Sequence, residues 1–220
     1  MKYHIITIFP EIFSSYFSHS IIARAKKERK IDIEIHNLRK WSNNKQKNID
    51  DTPYGGGAGM VLQVEPIYKA LKEIAPRKKK SRKIILSSAK GKTFNQKMAK
   101  NYSKELKEII IICGRYEGVD ERVKQFVDEE ISIGNYVLTG GEIPAMAIVD
   151  STTRLLPKVL GNKESIEDES HNISGQLEYP QYTKPSSFKA GSKSLNVPEI
   201  LLSGNHKKIE AWRKKHKKKI

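Results

Sequence analysis

Apolar positions along the chain switch between a two-residue and a three-to-four-residue period, and the switches mark out alternating strands and helices. Tyr3 to Phe9 is rich in β-branched and apolar residues and predicts a first strand. From Pro10 to about Lys30, Ile12, Phe13, Tyr16, Phe17, Ile21 and Ala25 recur at helical spacing, so a helix is expected there. Ile31 to Ile35 alternates and predicts a second strand. The polar stretch Trp41 to Asp51 has no period and leads into a glycine loop at Tyr54–Met60. A helix is predicted over Glu65–Ala75, a strand over Lys83–Leu86, a helix over Phe94–Leu106 and a strand over Glu108–Cys113. Val119–Phe126 reads as a helix, Ile131–Ile133 as a short strand, and Glu142–Leu155 as a further helix. Strands that alternate with helices imply an α/β fold, a mostly parallel sheet with helices on both faces.

The character changes after Pro157. Residues 161–187 hold few aliphatic and many polar, Gly and Pro residues, the composition of a mobile linker. Val197–Leu202 reads as a short apolar helix, and Asn205–Ile220 as a basic amphipathic helix carrying Trp212. The expected organisation is an α/β domain over 1–160, a linker or lid over 161–187 and a small helical C-terminal domain over 188–220.

Charge narrows the partners. Lys and Arg number 41 against 25 acidic residues, a net charge of +16, which favours polyanions because neutralised phosphates release counterions. The longest apolar run, Ile109–Cys113, is far short of the ~20 residues a membrane span needs. Met1-Lys2-Tyr3-His4 runs straight into a strand pattern rather than a signal peptide, so a cytoplasmic protein with no membrane partner is expected. A single cysteine, Cys113, excludes an internal disulfide and any cysteine-cluster metal site.

Three glycine-bearing segments follow strands: Ser87–Gly91, Cys113–Gly118 and Gly134–Gly141. Ligands of open α/β sheets bind beyond the carboxyl ends of the strands, so the three are expected to share one pocket. Glycine there lets backbone N–H and C=O groups approach a ligand without a Cβ in the way. The fingerprints G-x-G-x-x-G and G-x-x-x-x-G-K-[ST] are both missing, which argues against dinucleotide and nucleoside-triphosphate cradles.

These segments, with their neighbours, carry a resemblance. Ile8-Phe9-Pro10-Glu11, Tyr54–Met60 (YGGGAGM), Gly114–Arg122 (GRYEGVDER), Ser132–Glu142 (SIGNYVLTGGE) and Leu177–Pro185 (LEYPQYTKP) resemble the bacterial TrmD family. Those are tRNA (guanine-37-N1) methyltransferases of the SPOUT class, and the resemblance runs through the chain in order. It implies a deep trefoil knot in the sheet domain, S-adenosyl-L-methionine as methyl donor, tRNA with guanine at position 37 as substrate, and a homodimer with composite active sites. The donor would lie against Ser132, Ile133, Gly134, Asn135, Tyr136, Val137 and Leu138, near Gly140, Gly141 and Pro144. Gly114, Tyr116 and Glu117 would follow its ribose and methionine parts. A divalent ion such as Mg2+ is compatible with the resemblance, while no residue is assigned as a metal ligand.

Methylating N1 of guanine requires removal of its proton by a base and a cation or donor for charge gathering on O6. Arg154, at the end of the 142–155 helix, matches the family's functional arginine by position. Its bland reading is a helix-end cation complementing the macrodipole. For the base, alignment through Ser165 and Ser170 puts Glu169 where the family has an aspartate, with Asp168 just before it as the alternative. Alternatives to the whole reading are a SPOUT methyltransferase of ribosomal RNA and a non-catalytic RNA-binding protein.

Overall fold

The run Ile109–Ile112 is apolar without interruption because it is buried on both sides, each of its four residues being fully covered. It forms most of β6 (Glu108–Cys113), the centre of a five-stranded sheet in the order β2-β1-β6-β5-β7. The other strands are β1 (Lys2–Thr7), β2 (Asp32–Asn37), β5 (Arg82–Thr93) and β7 (Glu129–Ser132), and every pairing is parallel. The computed structural model describes residues 1–161, 169–173 and 175–219.

Strand periodicity sorts the core into two layers. Tyr3, Ile5, Ile109, Ile111 and Cys113 face one side and pack with α1 (Ile12–Phe17), α2 (Ser20–Lys27), α4 (Gln96–Glu105) and α5 (Glu142–Thr153). Ile6, Ile110 and Ile112 face the other and pack with a 3-10 turn at Leu38–Trp41 and with α3 (Val64–Ile74). Each fully buried isoleucine contributes roughly 1.5–3 kcal/mol of transfer free energy, which is why the central strand tolerates no polar residue between Ile109 and Ile112. The short pair β3 (Asp50–Asp51) and β4 (Val61–Leu62) flanks the glycine loop. Among the described residues no helix is long and apolar enough to cross a membrane.

The helix α5 runs antiparallel to β1, and two hydrogen bonds pin its ends. At its start, Thr7 Oγ1 donates to Glu142 Oε1 at 2.8 Å, at the carboxyl end of β1. At its finish the Tyr3 hydroxyl and Thr153 Oγ1 lie 3.0 Å apart, near the amino end of β1. This orientation places the first turn of α5, and not its last, beside the carboxyl ends of the strands.

Local structure departs from the sequence-based expectation in several places. The single helix expected over 10–30 is two, because Ser18 Oγ and His19 Nδ1 both reach the Ser15 carbonyl, at 3.3 and 2.7 Å, and divert it from the helical ladder. Ser20 then adopts φ 54° to restart the chain as α2. The segment Val119–Phe126 is not an α-helix. Leu62 and Val119 form a bridge, Asp120 Oδ1 accepts the Arg122 N–H at 2.9 Å, and a 3-10 turn covers Glu121–Phe126.

The chain divides into two units, Met1–Gly161 and Asn162–Ile220. The second is less helical than expected. It contains the pair β8 (Gln176–Leu177) and β11 (Lys218–Lys219), and a hairpin of β9 (Ser187–Ala190) and β10 (Lys193–Asn196). Every residue of that hairpin is exposed, so no apolar alternation announced it, and Gly191 at φ 62° makes its turn. Two helices follow, α6 (Glu199–Leu202) and α7 (His206–His216), the latter capped by Asn205 Oδ1 accepting the Lys208 N–H at 3.1 Å.

Candidate active site

The carboxyl ends of β5, β6 and β7 open onto a cleft of about 250 Å3. It is built from three pieces of backbone. The first is an excursion of β5: Ile131 pairs with both Ser87 and Lys92, so the residues between them leave the sheet and return. The sequence reading of Ser87–Gly91 as a plain loop after a strand is thus corrected to a bulge inside β5. Gly91 permits the return, since a Cβ there would sit 2.5 Å from the Glu130 carbonyl carbon. Ser87, Ser88, Ala89 and Lys90 line the cleft.

The second piece is Gly114–Val119 and the third Tyr136–Gly141, and they are stitched together. Arg115 and Gly140 form an antiparallel bridge, and Gly141 N donates to Gly114 O at 2.8 Å. The third piece thereby crosses over the ends of β5 and β6. The crossing is so close that a Cβ on Gly141 would meet Cys113 Cα at 2.7 Å, Gly114 N at 2.9 Å and Ser87 Cβ at 3.0 Å.

A buried ionic group holds this crossing in place. Glu142, only 2% exposed, accepts from Thr7 and pairs with Arg115, whose Nε and Nη2 both lie 3.0 Å from Oε2. Arg115 Nη1 also donates to Thr139 O at 3.2 Å, and its guanidinium stacks 4.7 Å from the Phe9 ring centroid. One arginine therefore ties the segment after β6, the third loop, the start of α5 and the end of β1. The bidentate fork of Arg suits this four-way role where a lysine would not. Neither Arg115 nor Glu142 was singled out from the sequence as a site residue, and no spacing rule connects them.

Of the residues expected to contact the donor, Gly114, Tyr116, Glu117, Ser132, Ile133, Tyr136, Val137, Leu138, Gly140, Gly141 and Pro144 line the cleft. Gly134 and Asn135 do not. The reason is the tight turn at Ser132, whose Oγ donates to Gly134 O at 2.8 Å and accepts the Gly134 N–H at 3.2 Å, while the Tyr136 ring packs back on Gly134. Tyr116 takes a left-handed φ of 58°, a strained conformation of the kind that concentrates at functional sites. Val137, 86% exposed, and half-exposed Tyr136 form an apolar rim with little protein cover. Glu121, Lys124 and Glu130 also reach the cleft, with Lys124 bridging the two carboxylates at 2.8 and 3.1 Å.

Chemically the cleft offers backbone donors and acceptors, a few carboxylates and an apolar rim. Cys113 is buried behind it, and burial pushes its thiol well above the ordinary range, so the cysteine is no nucleophile for this cleft. Such a pocket has the lining to hold and orient a small amphipathic molecule.

The other predicted residues belong to other segments of the chain. Arg154 caps α5 at its far end, about 15 Å along the axis from Pro144 at 1.5 Å per residue. Glu169 belongs to the second unit, in a turn where its carbonyl accepts from Asn172 N at 3.1 Å. Ser170 Oγ accepts from Glu178 N at 3.0 Å and His171 N donates to Gln176 O at 2.7 Å, so the turn is fastened to β8. Asp168, the alternative base, lies outside the described residues.

The second unit carries its own groove of about 960 Å3, bordered by Tyr179–Ser186, Val197, Leu201, Leu202, Ile209, Trp212 and Arg213. Arg213 stacks 5.0 Å from the Tyr179 ring, Tyr182 meets Trp212 edge-on, and Trp212 stacks on His216 at 4.0 Å. Aromatic faces beside a lysine-rich helix have the chemistry to stack on unpaired bases and to neutralise phosphates.

Comparison with known proteins agrees with this geometry. The family model described as tRNA (Guanine-1)-methyltransferase TrmD matches residues 1–220. The tRNA (guanine-N(1)-)-methyltransferase of Dictyoglomus turgidum is 51% identical over 98% of this chain and 84% of its own length. That of Clostridioides difficile is 51% identical over the whole chain and 94% of its own length. The like-named protein of Moorella thermoacetica is 49% identical over 97% of this chain and 84% of its own. With a match this long, and with the glycine crossing and the loops around it folded into one cleft, the chain belongs to the TrmD family of tRNA (guanine-1) methyltransferases.

Proposed function

We propose that this protein transfers a methyl group from S-adenosyl-L-methionine to N1 of guanine 37 in tRNA. The observation that carries the reading is the Gly141 crossing, which turns the ends of three parallel strands into a cleft walled by backbone. The donor supplies a methyl on a sulfonium, whose leaving group departs neutral. A cleft of this kind fits it: the Tyr136–Leu138 backbone can read an adenine edge, the apolar rim can cover its face, and Glu117 can take ribose hydroxyls.

The chain's work is then on the nucleophile. Glu169 accepts the N1 proton of guanine, and Asp168 is the alternative if the lid is set one residue differently. Arg154 stabilises the charge that gathers on O6. Arg154 cannot serve the cleft of its own chain, because the length of α5 separates it from Gly141 by about 20 Å. This favours a homodimer in which each arginine completes the partner's site. Exposed Ile12 and Tyr16 on α1 and Ile143 on α5, two helices that pack together, suit such an interface. The path of 134–141 over β5 and β6, followed by α5 beneath β1, supports the deep trefoil knot. Tyr179, Tyr182, Trp212 and Arg213 are the surface proposed for an anticodon stem-loop, whose target base must leave its stack to react.

The test is methyl transfer from labelled donor to an unmodified tRNA transcript, with Glu169→Gln and Asp168→Asn variants beside the natural chain. Loss confined to Glu169→Gln supports the assigned base, and loss confined to Asp168→Asn moves it by one residue. Donor binding without transfer to tRNA would replace the reading by a ribosomal-RNA methyltransferase or a non-catalytic RNA-binding protein. Mixing Arg154→Ala and Glu169→Gln chains tests the dimer, since shared sites restore part of the activity only if residues from both chains meet.

A further inference from the structure

Parallel pairing of β1 with β2 sets His4 opposite Glu34 and Ile6 opposite His36. His4, Glu34 and His36 therefore stand on one face of the sheet's edge, and their donor atoms converge. His4 Nδ1 lies 2.9 Å from His36 Nε2 and 3.3 Å from Glu34 Oε2, and the last two are 3.8 Å apart. The centre of the circle through the three donor atoms, in their plane, is about 2.0 Å from each, close to the bond length of Zn2+ to imidazole nitrogen and carboxylate oxygen. We propose that these three residues form a binding site for a first-row transition-metal ion of the zinc type, distinct from the cleft beyond β5, β6 and β7.

The surroundings are those of a supported ligand set. The far nitrogen of His4, Nε2, faces Glu108 Oε1 at 3.5 Å, and Glu108 is held by Arg82 at 2.9 Å. A carboxylate on the second nitrogen of a ligating histidine fixes its tautomer and turns Nδ1 toward the ion. The other oxygen of Glu34 is held by Lys2 at 2.6 Å, leaving Oε2 aimed at the imidazoles. His4 is almost fully buried, whereas Glu34 is more than a third exposed on its side chain, so a water can complete a fourth position from the solvent side. Entry of the ion needs no net proton loss. With the His4 proton on Nε2, His36 moves its own from Nε2 to Nδ1 and both facing nitrogens present lone pairs.

Two imidazoles and one carboxylate select Zn2+, Co2+ or Ni2+ over Mg2+ and Ca2+, which prefer all-oxygen shells. Bound there, the ion clips the edge strand β2 to β1 and stabilises the folded state by mass action.

The test uses the full chain stripped with a chelator and titrated with Zn2+ against a chromophoric competitor. The expected result is one Zn2+ per chain, a thermal midpoint that climbs with Zn2+ and not with Mg2+, and a visible Co2+ spectrum of low coordination number. Replacing a ligand (His36→Gln) or the more exposed Glu34→Gln should weaken binding by about a hundredfold or more, and Glu108→Gln by roughly 10–100-fold. His206→Gln, on α7, should leave it unchanged. Absence of stoichiometric Zn2+ binding, an equal midpoint shift with Mg2+, or natural-strength binding by a folded His36→Gln or Glu34→Gln chain would each overturn the proposal.

Discussion

Gly141→Ala isolates the crossing that shapes the cleft. Gly141 has φ −83° and ψ 0°, values an alanine adopts without strain. At such a position the substitution ordinarily stabilises a protein by about 0.4–1 kcal/mol through the unfolded chain. Here the added methyl meets three atoms at 2.7–3.0 Å, two of them backbone, where ordinary contact begins at 3.4 Å. The loop must lift by several tenths of an ångström. That weakens the 2.8 Å hydrogen bond to Gly114 O, about 0.5–1.5 kcal/mol, and adds overpacking of about 1–3 kcal/mol. If the strain of about 1.5–4.5 kcal/mol is relieved by displacing the loop, donor affinity falls about 10-fold to 2000-fold. Isothermal calorimetry with S-adenosyl-L-methionine reads the loss, and a denaturation curve reads the remaining strain. Gly161→Ala, with open space around its Cβ, serves as the control: donor affinity should be unchanged and stability should stay level or rise by up to about 1 kcal/mol. Natural donor affinity together with natural stability in Gly141→Ala would refute the steric account of the cleft.

Arg115→Ala leaves Glu142 buried without its cation and should cost about 3–5 kcal/mol, read from urea denaturation; a loss below about 1 kcal/mol would show the pair to be dispensable. Burial raises the Cys113 thiol, so at pH 8 its thiolate fraction stays low and alkylation should be far slower than for a free thiol until denaturant is added. Alkylation of the native chain at the free-thiol rate would contradict that burial. Arg213→Ala should weaken tRNA binding in filter assays and reduce the slope of log affinity against log salt by about 1, and an unchanged slope would remove Arg213 from the phosphate contacts.

Much of the frame was legible because burial writes itself into residue type. The short β-branched isoleucine run of β6 reads as a buried strand, and the period-two sorting of Tyr3, Ile5 and Ile6 follows from the pleat. What escaped depends on contacts between distant residues. The β5 excursion at Ser88–Gly91 exists because β7 pairs on both sides of it, and nothing within the segment encodes that partner. The 187–196 hairpin has no buried face, hence no alternation to read. In the cleft, the glycine-bearing loops were found through strand–loop order and resemblance. Arg115 and Glu142 were missed because a buried ion pair 27 positions apart has no local signature. The same holds for His4 and His36, brought together only by the register of β1 and β2. Gly134 and Asn135 belong to the same motif but do not line the cleft, Gly134 being held in the turn that the Ser132 hydroxyl makes.

The most direct test of the central claim is nucleoside mass spectrometry of tRNA transcripts incubated with the chain and S-adenosyl-L-methionine, with fragment mapping of the modified position. The account predicts 1-methylguanosine at position 37 and no methylation of the transcript carrying adenosine there. Methylation at another position, at a ribose hydroxyl, or undiminished in the adenosine-37 transcript would contradict it.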